Sequence, residues 1–172
     1  MDRRGAPSQP THLSPDGSVG IYTKRRLGAF SESARRDGSI PPPEPSVFVP
    51  GTLDPQVELE TGPAALAICA DIGDPAHPQL ASDAGAAHYL ASMFVIPSEL
   101  DADLARLSGY AQRFGWLVGF ANFVGHSGGL AAAGSSAFWG PDGALLVQLP
   151  KGDAGLAMAW KSPEGWRGRR LD

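Results

Sequence analysis

The sequence predicts an α/β fold, a mixed β-sheet with helices packed on one face. Three short continuous apolar runs, typical of strands covered on both faces, lie at residues 64–69, 86–92 and 116–122. Segments with helical character separate these runs, at residues 75–85 and 97–115. Further strand-like segments follow, and strands that alternate with helices in this way are typical of the class.

Length, composition and charge limit the kind of protein. The chain has 172 residues, enough for one domain, with 42% hydrophobic and 19% charged residues. Its net charge of −4 argues against nucleic-acid binding, which needs a basic face. It has no apolar stretch of membrane-spanning length and no apolar signal-peptide core after Met1. We therefore expect a cytoplasmic protein with no nucleic-acid or membrane partner.

The first 63 residues are rich in loop signals. They hold 10 of the 16 prolines, and only residues 19–24 and 46–50 are typical of short strands. We expect residues 1–14 to be disordered. Residues 52–62 fit either a solvated loop or a short strand.

The second predicted helix, residues 97–115, has the stronger pattern. Ser98 can cap it, with Asp101 three residues later, and the first helix is expected to end at Gly85. Its apolar residues recur at helical spacing: Leu100, Leu104, Leu107, Ala111 and Phe114.

Short strands are predicted in the last third of the chain. They lie around residues 135–140, 144–149 and 155–160, and the turn "GPDG" joins the first two. Residues 161–172 are polar and basic, which predicts a solvated tail. Tryptophans within the predicted strands are expected to fill the core: Trp116, Trp139 and Trp160.

The only cysteine, Cys69, ends the first apolar run, and a lone cysteine there is more often structural than reactive. However, Asp71, Gly73 and Pro75 cannot continue the strand, and a helix follows. The thiol is therefore expected at the carboxyl end of a strand, where α/β proteins place reactive groups. Such a turn also leaves backbone N–H groups free to bind an oxyanion. Lys24 ends another predicted strand and can emerge at a sheet end.

Five segments, in order, resemble motifs of the carbon–nitrogen hydrolases of the nitrilase superfamily. These segments are "SPDGSVGIYTKRRL" (14–27), "EPSVFVPG" (44–51), "AALAICAD" (64–71), "VGFANFVG" (118–125) and "GSSAFWGPDGALL" (134–146). The resemblance implies a nitrilase-like αββα sandwich, of which this chain would form part.

The resemblance also implies roles for particular residues. Cys69 would attack an amide or nitrile carbon, and Lys24 with the backbone N–H of Ala70 would hold the developing negative charge. Glu44 would support Lys24 by a hydrogen bond. No organic cofactor or metal is implied, the partner is a small-molecule amide or nitrile substrate, and relatives of this kind associate as homo-oligomers.

One departure from the family pattern bears on the expected function. The family's general-base glutamate precedes its lysine, whereas the first glutamate here is Glu32, after Lys24. The chain therefore resembles the C-terminal two-thirds of the family, an incomplete domain over residues 15–160. We expect a truncated hydrolase of non-peptide amide, carbamoyl or nitrile bonds, acting through a cysteine thioester. The alternative is a non-catalytic remnant that serves as a binding or assembly module.

Other candidate sites are weaker. Residues 125–129, "GHSGG", fit a serine-hydrolase elbow, but no histidine follows Ser127. His126 is either a solvated loop residue or part of a pocket. Asn122 either anchors a loop, which we favour, or lines the pocket.

A metal site is also weakly supported. His77 and His88, with Asp71 or Asp74, lack recognised ligand spacing. His88 is expected to be a hydrogen-bonded core residue.

Overall fold

The computed structural model describes residues 11–13, 17–30 and 39–171, with only the backbone of residues 11–13. The strands and α-helices of these residues are, in chain order, β1 (Thr11–Leu13), β2 (Val19–Ile21), β3 (Val57–Leu59), β4 (Gly62–Ile68), α1 (Ala76–Asp83), β5 (His88–Met93), α2 (Leu100–Phe114), β6 (Leu117–Asn122), β7 (Val124–Ser127), β8 (Leu130–Ala133), β9 (Ala137–Trp139), β10 (Leu145–Gln148), β11 (Leu156–Ser162) and β12 (Gly165–Leu171). Short 3₁₀ helices span Glu44–Ser46 and Cys69–Gly73.

A six-stranded mixed sheet forms the centre of the fold. Its strand order is β10-β9-β6-β5-β4-β3, in which β4, β5 and β6 are parallel and the other neighbours are antiparallel. The parallel pairs are joined through α1 and α2, whose apolar residues share a core with the sheet, including Ala81, Leu107, Tyr89 and Val118. The α/β class and the mixed sheet predicted from the sequence are confirmed. Neither helix of the described part is long and apolar enough to cross a membrane.

Helix α2 starts later than the capping pattern predicts. Its N-cap is Glu99, without a side-chain cap, because a turn closed by the Glu99 N–H on the Ile96 carbonyl occupies the preceding residues. The predicted cap by Ser98 is therefore wrong. The predicted apolar face is correct, since Leu107 and Ala111 are fully buried. The helix ends at Phe114, and the C-cap residue Gly115 has a φ of +70°, which suits a glycine.

Two predictions for the proline-rich segment need correction. Residues 46–50 are not a strand, because the chain instead turns through Glu44–Ser46, where the Val47 and Phe48 N–H groups both donate to the Glu44 carbonyl. The prolines of this segment have no N–H to give to a ladder. Residues 57–59 do form a strand, paired with β4. Residues 11–13 pair with β2 and are not disordered, while the rest of residues 1–14 lies outside the described part.

The solvated tail predicted for residues 161–172 is wrong over 165–171. These residues form β12, which pairs with β11 along its whole length through a turn at Pro163 and Glu164. The three arginines of β12 are nevertheless exposed, as expected for a solvated segment. Trp160 is 37% exposed, with Arg169 over its ring, so the predicted core role fails there. Trp116 and Trp139 are buried as expected.

Candidate active site

The carboxyl ends of the three parallel strands meet at one edge of the sheet. Cys69 follows β4, Phe94 follows β5 and Phe123 follows β6. Because these strands are adjacent and parallel, the three residues lie side by side. A cavity of about 770 Å³ opens there, and these residues line it together with Lys24 and Glu44.

Cys69 lies on a strained turn. It is the first residue of the 3₁₀ helix after β4, and its φ of +48° is in the left-handed region. A residue with a side chain pays about 1–3 kcal/mol for such a conformation and keeps it only where the surroundings enforce it. The sequence predicted this strand-to-helix turn from the residues that follow the cysteine.

The charges and dipoles around Cys69 act on its thiol in opposite directions. Burial is the largest influence and raises the pKa of Cys69. The Lys24 ammonium lowers that pKa, while the Glu44 carboxylate raises it. Backbone N–H groups of Phe94 and Ala70 also lower it, since both donate toward the sulfur. Lys24 and Ala70, the expected oxyanion donors, are therefore both close enough to influence the thiol.

Lys24 is buried and has a single carboxylate partner among the described residues. The side chain is 2% exposed, and Nζ donates to both Glu44 oxygens, at 2.8 and 2.6 Å. Glu44 Oε2 also accepts from the Gly28 N–H at 2.6 Å, and the Glu44 N–H donates to the Gly28 carbonyl at 2.9 Å. The contact expected of Glu44 is therefore present in the structure.

The segment that carries Lys24 is tied to residues 51–53. The Thr23 N–H donates to the Leu53 carbonyl at 2.9 Å, and the Gly51 N–H donates to the Lys24 carbonyl at 2.8 Å. A Cβ at Gly51 would lie 2.2 Å from the Thr23 side chain, which no real contact allows. The glycine of the "EPSVFVPG" segment is thus required by this close approach.

Sequence reasoning did not identify Asp71 as part of the site. Its fully buried carboxylate accepts four hydrogen bonds, three of them from residues 22–26, and its partner Tyr22 also contacts His77. The sequence contains one signal for this contact. Tyr22 lies two residues before Lys24, and Asp71 lies two residues after Cys69.

The two candidate pocket residues do not line the cavity. Asn122 is buried, accepts from the Val95 N–H at 2.9 Å and donates to the Gly134 carbonyl at 2.8 Å, so it anchors a loop. His126 is exposed on β7. The "GHSGG" stretch forms the hairpin β7–β8, with no helix after Ser127, which removes the serine-elbow interpretation.

The two histidines weighed as metal ligands are engaged otherwise. Both ring nitrogens of His77 lie 2.9 Å from tyrosine hydroxyls, those of Tyr22 and Tyr89. His88 is buried and its Nε2 lies 2.9 Å from the Thr61 hydroxyl, as expected for a core histidine.

Aromatic rings form one wall of the cavity beside the thiol. Phe94 lies between Phe30 and Phe123, with ring centroids 6.3 and 5.7 Å away. We call these three residues the aromatic wall. Phe123 is 46% exposed, so apolar surface is open to the cavity.

The cations that line the cavity, among the described residues, already have acceptors. Arg106 pairs with Asp103, and Arg26 donates to the Gly73 carbonyl at 2.9 Å. Lys24 is held by its carboxylate partner. Of these three cations, Lys24 and Arg106 are therefore paired with carboxylates, while Arg26 is exposed and its acceptor is an uncharged carbonyl.

Comparison with known proteins agrees with this geometry. The family model "carbon-nitrogen hydrolase" matches residues 9–169. An amidase from Nesterenkonia sp. is 26% identical, covering 81% of this chain and 49% of that one with a TM-score of 0.67. In a variant of that amidase, at 25% identity over 81% and 50% of the chains and a TM-score of 0.63, the acetamide moiety of fluoroacetamide is bonded to the active-site cysteine.

A second protein supports the fold alone. The glutamine-dependent NAD⁺ synthetase from Acinetobacter baumannii is 17% identical, covering 92% of this chain and 32% of that one with a TM-score of 0.71. No curated protein sequence matches significantly. The chain spans about half the length of the amidase structures that it matches. Since the family model covers nearly the whole chain, this protein belongs to the carbon–nitrogen hydrolase family.

Proposed function

We propose that this chain carries the nucleophile and the oxyanion donors of a cysteine-dependent hydrolase of non-peptide carbon–nitrogen bonds, of the amidase type. The observation that carries the proposal is the shared cavity, in which the Cys69 thiol lies within the electrostatic influence of the buried Lys24 ammonium. Similarity to an amidase, a variant of which carries the acetamide moiety of fluoroacetamide on its active-site cysteine, supports a nucleophilic thiol at Cys69.

In the proposed reaction the Cys69 sulfur attacks the carbonyl carbon, and the C=O electron pair moves to oxygen. Lys24 Nζ and the Ala70 N–H stabilise that oxyanion. The C–N bond then breaks, the nitrogen leaves with a proton, and a thioester remains. Water attacks the thioester, which releases the acid and restores the thiol. We do not assign Glu44 as the base that removes the thiol proton, because both of its carboxylate oxygens accept hydrogen bonds from Lys24.

The lining of the cavity supports a substrate class. Phe94, the central residue of the aromatic wall, directs its N–H toward the Cys69 sulfur, so the acyl part of a bound amide would lie against apolar rings. Two of the described cations, Lys24 and Arg106, are paired with carboxylates. We propose an uncharged amide with an apolar acyl group, with carbamoyl and nitrile compounds as the related possibilities.

The alternative is a non-catalytic module of the same fold. Burial is the largest influence on the pKa of the Cys69 thiol and raises it, as for an inert structural cysteine, which favours this alternative. In such a module Cys69 would be a structural thiol that forms no bond to a ligand.

Alkylation of Cys69 by iodoacetamide across the alkaline range tests the proposal. Because the chain has one cysteine, labelling reports a single site. Lys24→Met should raise the midpoint of the pH profile by about 1 pH unit, since a nearby cation favours the thiolate. Glu44→Gln should lower it, because the carboxylate that raises the Cys69 pKa is removed while Lys24 keeps its charge.

The two substitutions act as matched controls because they change charge at one ion pair in opposite directions. Cys69→Ser gives the background labelling. Identical midpoints for Lys24→Met, Glu44→Gln and the unmodified chain would contradict the proposed site.

A further inference from the structure

A single buried carboxylate connects the two segments that carry the candidate site. Asp71 Oδ1 accepts from the Arg25 and Arg26 N–H groups at 3.0 and 2.6 Å, and Oδ2 accepts from the Tyr22 hydroxyl at 2.7 Å and the Ile68 N–H at 2.9 Å. Three of these donors flank Lys24, and the fourth immediately precedes Cys69. Three of the donors precede Asp71 by 45 to 49 residues, and the fourth precedes it by three.

We propose that Asp71 is a positioning residue, which holds the segment carrying Lys24 against the strained turn carrying Cys69. Tyr22 and His77 orient its carboxylate. This inference rests on the proposed function, because it concerns how the nucleophile and the oxyanion donor are held in register.

The hydrogen bonds around Asp71 have one consistent direction. An ionised carboxylate only accepts, so the Tyr22 hydroxyl must donate to Asp71 and its oxygen can only accept from His77. Nε2 of His77 therefore carries the proton, and Nδ1 accepts from the Tyr89 hydroxyl at 2.9 Å. Each polar side-chain atom in this series of hydrogen bonds thus has a partner. These partners fix the orientation of Tyr22 and, through it, that of the Asp71 carboxylate.

Burial keeps the rest of the network neutral. It raises the pKa of Tyr22 and of Tyr89, and it lowers the pKa of His77 despite the opposing effect of Asp71. The carboxylate is then the single charge among these four residues at neutral pH. Its charge strengthens four hydrogen bonds at once, which is the arrangement needed to hold a turn whose φ is unfavourable.

None of these residues reaches the place where a substrate would bind. The described lining of the cavity includes Lys24, Cys69 and Ala70 but not Tyr22 or Asp71. The network therefore acts through the residues that it holds, and Asp71 is not itself a catalytic residue in this proposal.

A double-mutant cycle on the thiol tests the proposal. The change in the Cys69 alkylation midpoint caused by Lys24→Met is measured in the unmodified chain and in Asp71→Asn. Because only the difference within each background is compared, the loss of the Asp71 charge itself cancels. We expect the effect of Lys24→Met to fall from about 1 pH unit to less than about 0.3, since the amide cannot accept all four hydrogen bonds.

Two further variants complete the design. Asp74→Asn is the matched control, because Asp74 lies in the same region and accepts from the Ala76 N–H at 3.0 Å within its own turn. It should leave the effect of Lys24→Met unchanged. Tyr22→Phe keeps the carboxylate and removes one donor, so it should reduce the effect in part, and it replaces Asp71→Asn if that variant does not fold.

The outcomes separate this inference from the proposed function. If Lys24→Met has no effect in the unmodified chain, both are wrong, because there is no Lys24–Cys69 interaction to position. If that effect exists and is equally large in folded Asp71→Asn and in Tyr22→Phe, Asp71 is merely structural and this inference alone is overturned.

Discussion

At the scale of single residues, Gly51 determines how closely two segments of the candidate site approach. Its N–H donates to the Lys24 carbonyl, and a Cβ at this position would overlap the side chain of Thr23. Thr23 cannot move away freely, because its hydroxyl accepts from the Leu53 N–H at 2.7 Å. The close approach therefore has little room to relax.

We expect Gly51→Ala to lower the free energy of unfolding by about 1–3 kcal/mol, the usual cost of an added methyl group in a packed site. Urea unfolding measures this change. Gly155→Ala is the control, because a Cβ there would make only ordinary contacts with Leu149, at 3.6 Å and beyond. A Gly51→Ala protein as stable as the control would show that the Lys24 segment is less tightly held than the distances indicate.

At the scale of elements, helix α2 contains an exposed glycine that contributes nothing to packing. Gly109 lies in the middle of the helix, and a Cβ there would meet no atom within 4 Å. Glycine in a helix interior costs about 0.5–1 kcal/mol relative to alanine, because the unfolded chain is more flexible. Gly109→Ala should raise the free energy of unfolding by that amount in urea denaturation, with the Cys69 alkylation profile unchanged. A loss of stability would mean that this face of α2 is covered by something other than solvent.

The elements that the sequence predicts well are those with a one-dimensional hydrophobic signal. Strands β4, β5 and β6 are short apolar runs, and each lies within a few residues of its predicted bounds. Hairpin β7–β8 has no such signal, because β7 is mostly exposed and its turn glycines resemble a loop. Strand β12 was missed for the same reason, since its arginines are exposed and its order depends on pairing with β11 and contact with β10.

Some features of the candidate site can likewise be predicted from the sequence, and others cannot. The position of Cys69 at the end of β4 follows from local sequence. The strand predicted to end at Lys24 is wrong there, because β2 ends three residues earlier, at Ile21. The contact of Lys24 with Glu44 follows from resemblance to the family. The bridge made by Asp71 depends on hydrogen bonds to residues more than 40 positions away, which no local pattern specifies.

At the scale of the whole molecule, a buried neutral histidine makes stability depend on pH. Burial lowers the pKa of His77 below its ordinary value of 6.5. In the window just below pH 6.5 the unfolded chain therefore binds a proton at this residue and the folded chain does not. Stability is complete above that value and falls as the pH decreases through it, because protons then favour the unfolded state.

His77→Gln removes this titration while keeping one donor and one acceptor beside Tyr22 and Tyr89. Between about pH 7.5 and about pH 5.5 the unmodified chain should lose about 1 kcal/mol more unfolding free energy than His77→Gln, as expected for a group that is neutral only when folded. Urea unfolding at the two pH values measures both slopes, and carboxylate titration common to both proteins cancels in the comparison. Equal slopes would mean that His77 accepts a proton inside the fold. That proton would have to reside on Nδ1, which would then compete with the Tyr89 hydroxyl as donor and break the one-directional order of hydrogen bonds that ends at Asp71.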